Sequence, residues 1–541
     1  MHQPPLVESY ADEPPDNGIA DPKQRTRILI AMCLSLMGVI AAVSGLNVAT
    51  QQLAIDFGAS QTDLLWIING YTIALAALLL PIGAIGDRWG RKKVLIIGLV
   101  LFIAANLASA FATGVPMLMG LRVAAGAAAA MIMPVTLSVI TSSFPPEDRD
   151  RAIGVWAGVA GAGGILGLFY SSIMIDNFTW PWVFALPVAV AAVGLVMTVT
   201  SVPHSREHHA GRFDTLGSIL SALAVGGLVL GIHEGPEAGW TAPLTLLGLV
   251  LGSACAIGFV VWELRQDHPL LNLRVFRNRM LASGSAALLI VFAVMTGLFL
   301  VLVQYLQIVL GFSAVSAAAG LLPMAAVLMP LSTIAPLIAR RVGTRVMFVG
   351  GAALVAVGLT MMGLMASVDG GYWSVMPGLL IVAAGIGLMM TPGTTAITAS
   401  LPQDEQGVAS ALNDTVREIG AAGGTALLGS VMAAGYTSAV TSATTGLPPE
   451  AADAVKEGIG GASVIATEMA KVGQQVMAND LMDAARHAFL DGWTSAMWVS
   501  AGLAVGVAIV TAFWTPNRKH EQAAHHHAEL TGDPQEPVVS N

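Results

Sequence analysis

The sequence predicts an all-α, polytopic membrane protein: fourteen transmembrane helices, forming two six-helix bundles with two linker helices inserted between them. Three observations predict it. Of 541 residues, 55% are hydrophobic and 11% charged, whereas a soluble domain carries about 25% charged residues; the mean hydropathy is +0.72. Fourteen apolar runs are each long enough to cross roughly 30 Å of hydrocarbon. Two stretches recur about 250 residues further on. Such a composition excludes an ordinary cytosolic enzyme and a disordered scaffold. The balance of 25 Lys and Arg against 34 Asp and Glu, net −9, argues against nucleic-acid partners. Cys33 and Cys255 sit in apolar runs and imply no disulfide framework.

Residues 1–26 are polar and rich in Pro, Asp and Glu, and read as a disordered cytoplasmic tail, not a signal peptide. Spans at about 28–50, 64–85, 94–112, 116–141, 152–174 and 181–202 make an N-terminal bundle, residues 27–202. Spans at about 214–233 and 242–263 are the linker helices of residues 203–265. The C-terminal bundle, residues 279–515, holds spans at about 280–303, 314–339, 346–367, 374–398, 407–434 and 493–515. Pro81, Pro134, Pro323, Pro330 and Pro392 fall inside spans, where neighbouring helices satisfy the freed backbone groups. A long extracytoplasmic loop, 435–491, carries an apolar stripe at helical spacing: Leu481, Ala484, Ala485, Ala488 and Phe489. It is expected to lie on the outer membrane face, cap a cavity mouth or serve as a linker. Residues 516–541 are a second cytoplasmic tail, in which His525, His526 and His527 read as unstructured polar chain, not a metal site.

Charge orients the spans. Lys23, Arg25 and Arg27, the run Arg88 to Lys93, Arg149 and Arg151, Arg206 and Arg212, the run Arg265 to Arg279, the run Arg340 to Arg345, and Arg518 with Lys519 all fall on one side of an alternating chain. The short loops opposite, such as Gln51–Asp63 and Asp176–Trp180, have no Lys or Arg. By the positive-inside rule both termini are cytoplasmic. The bases of the long loop, Lys456, Lys471 and Arg486, escape the rule as long loops do.

The internal repeat pairs Gly86-Asp87-Arg88-Trp89-Gly90-Arg91-Lys92 with Ala339-Arg340-Arg341-Val342-Gly343-Thr344-Arg345. It also pairs Ile140-Thr141-Ser142-Ser143-Phe144-Pro145 with Ile397-Thr398-Ala399-Ser400-Leu401-Pro402. Both pairs are eight spans apart. Paired bundles around a central cavity are the architecture of alternating-access transporters.

Charges deep in a span are costly and mark function by default. Four stand out: Arg122 in the fourth span, and Asp414, Arg417 and Glu418 in the thirteenth. On a helix Asp414 and Glu418 lie about 40° apart on one face, with Arg417 about 60° to the other side of Asp414. Asp414 and Arg417 can therefore pair, leaving Glu418 as the carboxyl that takes a proton from one side and loses it to the other. The competing reading is a static Asp414–Arg417 pair with Glu418 facing a wet cavity. Arg122 lies near the outer end of its span and can instead snorkel to the interface. Asn47, Asn69, Tyr71, Gln304, Tyr305, Gln307, Thr391, Thr394 and Asn413 are candidates for a substrate cavity, or for helix–helix hydrogen bonds.

The run Gly83-Ala84-Ile85-Gly86-Asp87-Arg88-Trp89-Gly90-Arg91-Lys92, between the second and third spans, resembles the loop signature of the major facilitator superfamily. Arg122 with Gly126 looks like that family's helix-4 motif. Fourteen spans, Glu263, Arg265, Pro269, Leu270, Phe276 and Arg277, and Gln304-Tyr305-Leu306-Gln307 leading to Gly311 narrow the resemblance to the fourteen-helix drug:proton antiporters of bacteria. The resemblance implies a gating role for Gly83, Asp87, Arg88, Gly90 and Arg91, and proton coupling at Glu418, Asp414 and Arg122 with Arg417 as ion-pair partner. The chain also departs from the family pattern. Ala42 stands at the first span's acid position, Gln51 for a proline, and Asn69 where some cation exporters have an acid. In the fifth span Gly158, Gly161, Gly163, Gly164 and Gly167 are kept, but Leu168 replaces the antiporter proline and Ser171-Ser172 the glycines; Pro181 replaces an arginine of the sixth.

The expected function is proton-coupled export of amphipathic, cationic drugs or dyes across a bacterial inner (plasma) membrane by alternating access. The expected partners are protons, a small amphipathic substrate and the lipid bilayer, for a monomer with no cofactor and no metal. The alternatives are an exporter of a lipid or a specific natural product, and a non-transporting sensor or assembly factor. No phosphate-binding loop or nucleophile elbow points to an ATP-driven pump or an enzyme.

Overall fold

The structure, a computed structural model, describes residues 18–203 and 213–517. Residues 1–17, the bases Arg206, Arg212, Arg518 and Lys519, and the histidines His525, His526 and His527 lie outside the described residues. Fourteen helices are long and apolar enough to cross a membrane. They are α1 (Pro22–Gly45), α2 (Gln61–Trp89), α3 (Arg91–Ser109), α4 (Val115–Ser143), α5 (Pro146–Asn177), α6 (Ala185–Ser201) and α7 (Thr215–Ala238). Next come α8 (Pro243–Glu263), α9 (Arg279–Gln304), α10 (Ala314–Val342), α11 (Thr344–Met365), α12 (Met376–Thr398), α13 (Gln406–Val440) and α14 (Gln475–Trp514). An even number of crossings puts the start of α1 and the end of α14 on one face, here the terminal face.

Several ends differ from the sequence expectation, each for a local reason. Helix α1 starts at Pro22, inside the stretch expected to be tail, because the Asp21 side chain accepts the Lys23 N–H at 2.9 Å and Pro22 suits the first helical position. Helix α7 runs on to Ala238, which brings Glu234 and Glu237 into its last two turns. Helix α14 is 40 residues long and begins at Gln475. Its polar first half hides it from hydropathy, yet Leu481, Ala485, Ala488 and Phe489 are buried and Ala484 half-buried. The stripe expected to meet a membrane or a cavity mouth instead packs within the protein, as α14 lies beside the short helix Ile459–Lys471. Tyr436 Oη donates to the Val455 carbonyl at 3.0 Å and closes the cap onto α13.

Helices α1–α6 and α9–α14 form the two bundles, and α7 and α8 pack as a hairpin beside them. The bundles meet along α5 against α10 and α2 against α13. Helix α7 covers the second seam: its Val225 and Val229 cluster with Ala76 of α2 and Ala422 of α13. Within the C-terminal bundle α9 and α13 approach closely, and a Cβ at Gly424 would lie 2.0 Å from the Ala293 carbonyl oxygen. Small residues are what permit such backbone contact in a membrane. Gly424→Val is therefore expected to force the helices apart at a cost of roughly 1–3 kcal/mol. Thermal denaturation followed by size-exclusion chromatography should show a lower melting temperature for it, and none for Gly423→Val, where a Cβ meets nothing within 4 Å.

Candidate functional site

The loop joining α2 to α3 is fixed by Gly90, whose φ of 102° favours glycine. Gly343, φ 90°, holds the matching turn between α10 and α11. The turn sets Asp87 against the start of α13. Its Oδ1 accepts the Gly407 N–H at 2.9 Å and its Oδ2 the Val408 N–H at 3.1 Å. Arg91 Nε and Nη2 donate to Asp87 Oδ1 at 2.9 and 2.8 Å, and Nη2 also reaches the Gln403 carbonyl at 3.0 Å. A carboxylate at a helix N-terminus uses both the free N–H groups and the dipole. Gly83 sits one turn back, where a Cβ would come within 2.6 Å of the Gly407 carbonyl oxygen, so only glycine lets α2 and α13 close here. Asp87 and Arg91 are both buried. Arg88 lies over the Phe213 ring, 5.4 Å from its centroid. It shares a small cavity of about 60 Å³ with Asp87, Asp214, Pro269 and Leu270. Glu263, at the end of α8, accepts the Leu271 N–H at 3.2 Å and holds that loop in place.

The repeat places Arg340 where Asp87 stands in the first half. It meets the start of α5, donating to the Glu147 carbonyl at 3.1 Å and pairing with Asp150 at 3.4 Å. The acids of α5's first turn explain the reversed sign. Arg340 is half-exposed, unlike Asp87. Gly154 and Gly158 of α5 lie against Ser332 and Met329 of α10 in the same half of the molecule. The bundles are thus closed on the terminal face.

Deeper in, Arg122 is fully buried rather than snorkelled. Its guanidinium stands 4.3 Å from the centroid of the Tyr71 ring and Nε donates to the Ile67 carbonyl at 3.3 Å, while both Nη atoms lack a partner. Tyr71 Oη donates to the Val39 carbonyl of α1 at 3.2 Å. Glu418, from α13, is close enough for its charge to act on the Tyr71 phenol. Tyr71 thus has the Arg122 guanidinium against its ring and Glu418 of the other bundle within charge range of its phenol. Glu418 starts the thirteenth residue of α13, about 18 Å into the helix, yet is only half-buried.

Arg417 points elsewhere. Its Nη1 donates to Asp414 Oδ1 at 3.2 Å, and Asn413 Nδ2 donates to the same oxygen at 3.0 Å. The guanidinium stands 4.4 Å from the Phe292 ring centroid of α9 and 5.2 Å from that of Trp156, on α5 in the other bundle. Trp156 Nε1 donates to Thr136 Oγ1 at 3.1 Å and is fixed to its own bundle. Sequence reasoning missed Trp156 and Phe292, since an aromatic in an apolar helix carries no signal of what it faces.

The remaining cavity candidates scatter. Asn47 is exposed at the end of α1, and Asn69 is buried in α2. Gln304 and Gln307 are half-buried around a π-helical turn, Tyr305–Val309. Tyr305 Oη is committed to the Ser367 carbonyl at 3.0 Å, and its ring lies 5.0 Å from that of Trp493. Thr391 donates to the Ser332 carbonyl at 2.7 Å, tying α12 to α10, and Thr394 is buried. Among the described residues no group of three or more His, Cys, Asp or Glu side chains is placed to hold a metal ion.

Two helical bundles shut at one face, with charges held between them, define a multi-pass membrane protein of the transporter type. A sequence profile of the Major Facilitator Superfamily matches residues 30–425. The chain is 32% identical to the multidrug efflux pump LfrA of Mycolicibacterium smegmatis, over 90% of this chain and 96% of that one. It is 30% identical to the methyl viologen resistance protein SmvA of Salmonella typhimurium, over 90% of this chain and 97% of that one. Among solved structures, the fold is similar to the proton:xylose symporter XylE, with a TM-score of 0.57, 14% identity, and 92% and 96% of the two chains covered. It is similar also to the human organic anion transporter MFSD10, with a TM-score of 0.57, 12% identity, and 91% and 100% covered. The chain belongs to the Major Facilitator Superfamily.

Proposed function

We propose that the protein is a secondary active exporter that exchanges amphipathic, cationic drugs or dyes for protons across a bacterial inner (plasma) membrane, as a monomer with both termini cytoplasmic. The observation that carries this reading is Glu418: an ionisable side chain midway through a membrane helix, half-buried beside Asp414 and Arg417 and within charge range of Tyr71 in the other bundle. Buried ionisable groups in a span mark proton or substrate paths. The relatives named for multidrug efflux and methyl viologen resistance support an exported organic cation. Asp87, Arg91 and Arg340 act as latches of the cytoplasmic face, and Asp414 with Arg417 sets the charge beside Glu418.

A second reading, export of a lipid or a specific natural product without proton exchange, draws on α5, where Leu168 and Ser171 stand in place of the antiporter proline and glycine. Everted membrane vesicles separate the two. Addition of ethidium or methyl viologen to energised vesicles should release protons in a saturable way. Dye movement indifferent to the proton gradient would sink the antiport reading and favour the second.

A further inference from the structure

We propose that Trp156 and Phe292 form the two walls of a cage for the cationic group of the exported substrate, a cage that Arg417 fills when the cytoplasmic face is closed. The inference rests on the exporter reading and deepens it by naming where the cation binds. The walls come from opposite bundles: Trp156 from α5, Phe292 from α9. The guanidinium lies over both rings, at 5.2 and 4.4 Å. Aromatic faces attract cations through the ring quadrupole, most strongly when water is excluded, and they suit delocalised or quaternary cations as well as guanidinium.

Two further features make this a cation site and not only an arginine's packing place. Asp414 Oδ2 and Asn413 Oδ1, both buried, have no hydrogen-bond partner, so acceptor capacity beside the cage is unused. Arg417 itself is only partly satisfied, with Nε unpartnered. A resident cation held by one carboxylate oxygen and two rings is one that another cation can replace.

The geometry also gives the cage a direction. Trp156 is tied to Thr136 within the N-terminal bundle, while Phe292, Asp414 and Arg417 travel together on α9 and α13. Parting of the bundles at the cytoplasmic face draws the indole away from Phe292 and makes room for a larger cation. Closure brings the walls together again around Arg417, which displaces the substrate toward the opposite face. The arginine thus competes with the cargo for one pair of rings.

The test uses the full-length protein in lipid nanodiscs and two probes of similar shape: tetraphenylphosphonium, a cation, and triphenylphosphine oxide, which is neutral. Trp156→Ala is expected to weaken tetraphenylphosphonium binding about tenfold while moving the neutral probe less than about twofold, and Trp156→Phe should restore most of the loss. Phe292→Leu serves the same purpose should Trp156→Ala fold poorly. Arg417→Gln, which removes the competitor, should bind the cation more tightly than wild type, although export is lost. Equal weakening of both probes, an unchanged cation affinity in Trp156→Ala, no tightening in Arg417→Gln, or no binding of tetraphenylphosphonium to wild type would each overturn the cage. The exporter reading fails separately: vesicles that release no protons on dye addition refute it even where the binding pattern holds.

Discussion

Glu418→Gln is expected to abolish uphill export while leaving the protein folded and able to bind its substrate. Glutamine keeps the shape and hydrogen-bonding reach of the side chain but cannot exchange a proton. One proton exchanged for one monovalent cation is electroneutral, so only the pH difference drives it. Each pH unit is worth about 1.4 kcal/mol, or a tenfold gradient. Everted vesicles holding a one-unit gradient should therefore accumulate such a dye about tenfold with the wild-type protein. With Glu418→Gln, accumulation should stop at equal concentrations, while counterflow of labelled for unlabelled dye persists. Asp414→Asn tests the neighbour: because it also strips Arg417 of its partner at 3.2 Å, it should weaken folding as well as transport. Uphill transport by Glu418→Gln that still collapses when the proton gradient is dissipated would place coupling elsewhere.

The second large effect is expected at Asp87. Asp87→Ala removes the acceptor of two backbone N–H groups and of Arg91 in a buried setting. Deleting one partner of a buried pair costs about 3–5 kcal/mol, because the other charge stays unpaired. The bonds to Gly407 and Val408 exist only while α2 meets α13, whereas the Arg91 pair lies within one bundle, so the loss of those two bonds falls on the state closed at the terminal face. With hydrogen bonds to a charged group worth about 1.5–3 kcal/mol each, the equilibrium should shift toward opening of that face by on the order of a hundredfold. Spin labels at Lys93→Cys and Arg341→Cys, in a background lacking Cys33 and Cys255, would read it as a longer inter-bundle distance by pulsed EPR. Asp87→Asn, which keeps an acceptor for Gly407 but not the charge, should fall between. Arg340→Ala should have a small effect, since its contacts are exposed and such pairs contribute at most about 1 kcal/mol. A closed distance in Asp87→Ala would remove the latch.

What the sequence made legible follows from scarcity. Charges are few, so Asp414, Arg417, Glu418 and Arg122 stand out against apolar helices; the structure sets Arg122 against the Tyr71 ring and Glu418 within charge range of its phenol. The fourteen spans were legible because each crossing needs a long apolar run. The start of α14 was not, since residues 475–491 alternate charge with a stripe that packs on the protein and never meets lipid. Glu234 and Glu237 were placed outside a span because hydropathy falls before α7 ends. Trp156 was unreadable for a different reason. Its meaning depends on Arg417, 261 positions away and in another bundle, and no local pattern encodes a partner at that separation. The same holds for Tyr305, whose polar group is consumed by the 367–374 turn, not directed at a cavity.

The α7–α8 hairpin makes an otherwise paired molecule one-sided. Twofold construction gives the bundles two flanking seams, α2 with α13 and α5 with α10. Val225 and Val229 of α7 plug the first, and nothing among the described helices packs over the second in the same way. In the proposed transport cycle, parting of the bundles on the terminal face is therefore expected to admit a membrane-dissolved solute past α5 and α10, the seam the hairpin leaves uncovered. On that reading, helices that look like a mere spacer between two halves set the side from which the membrane delivers cargo.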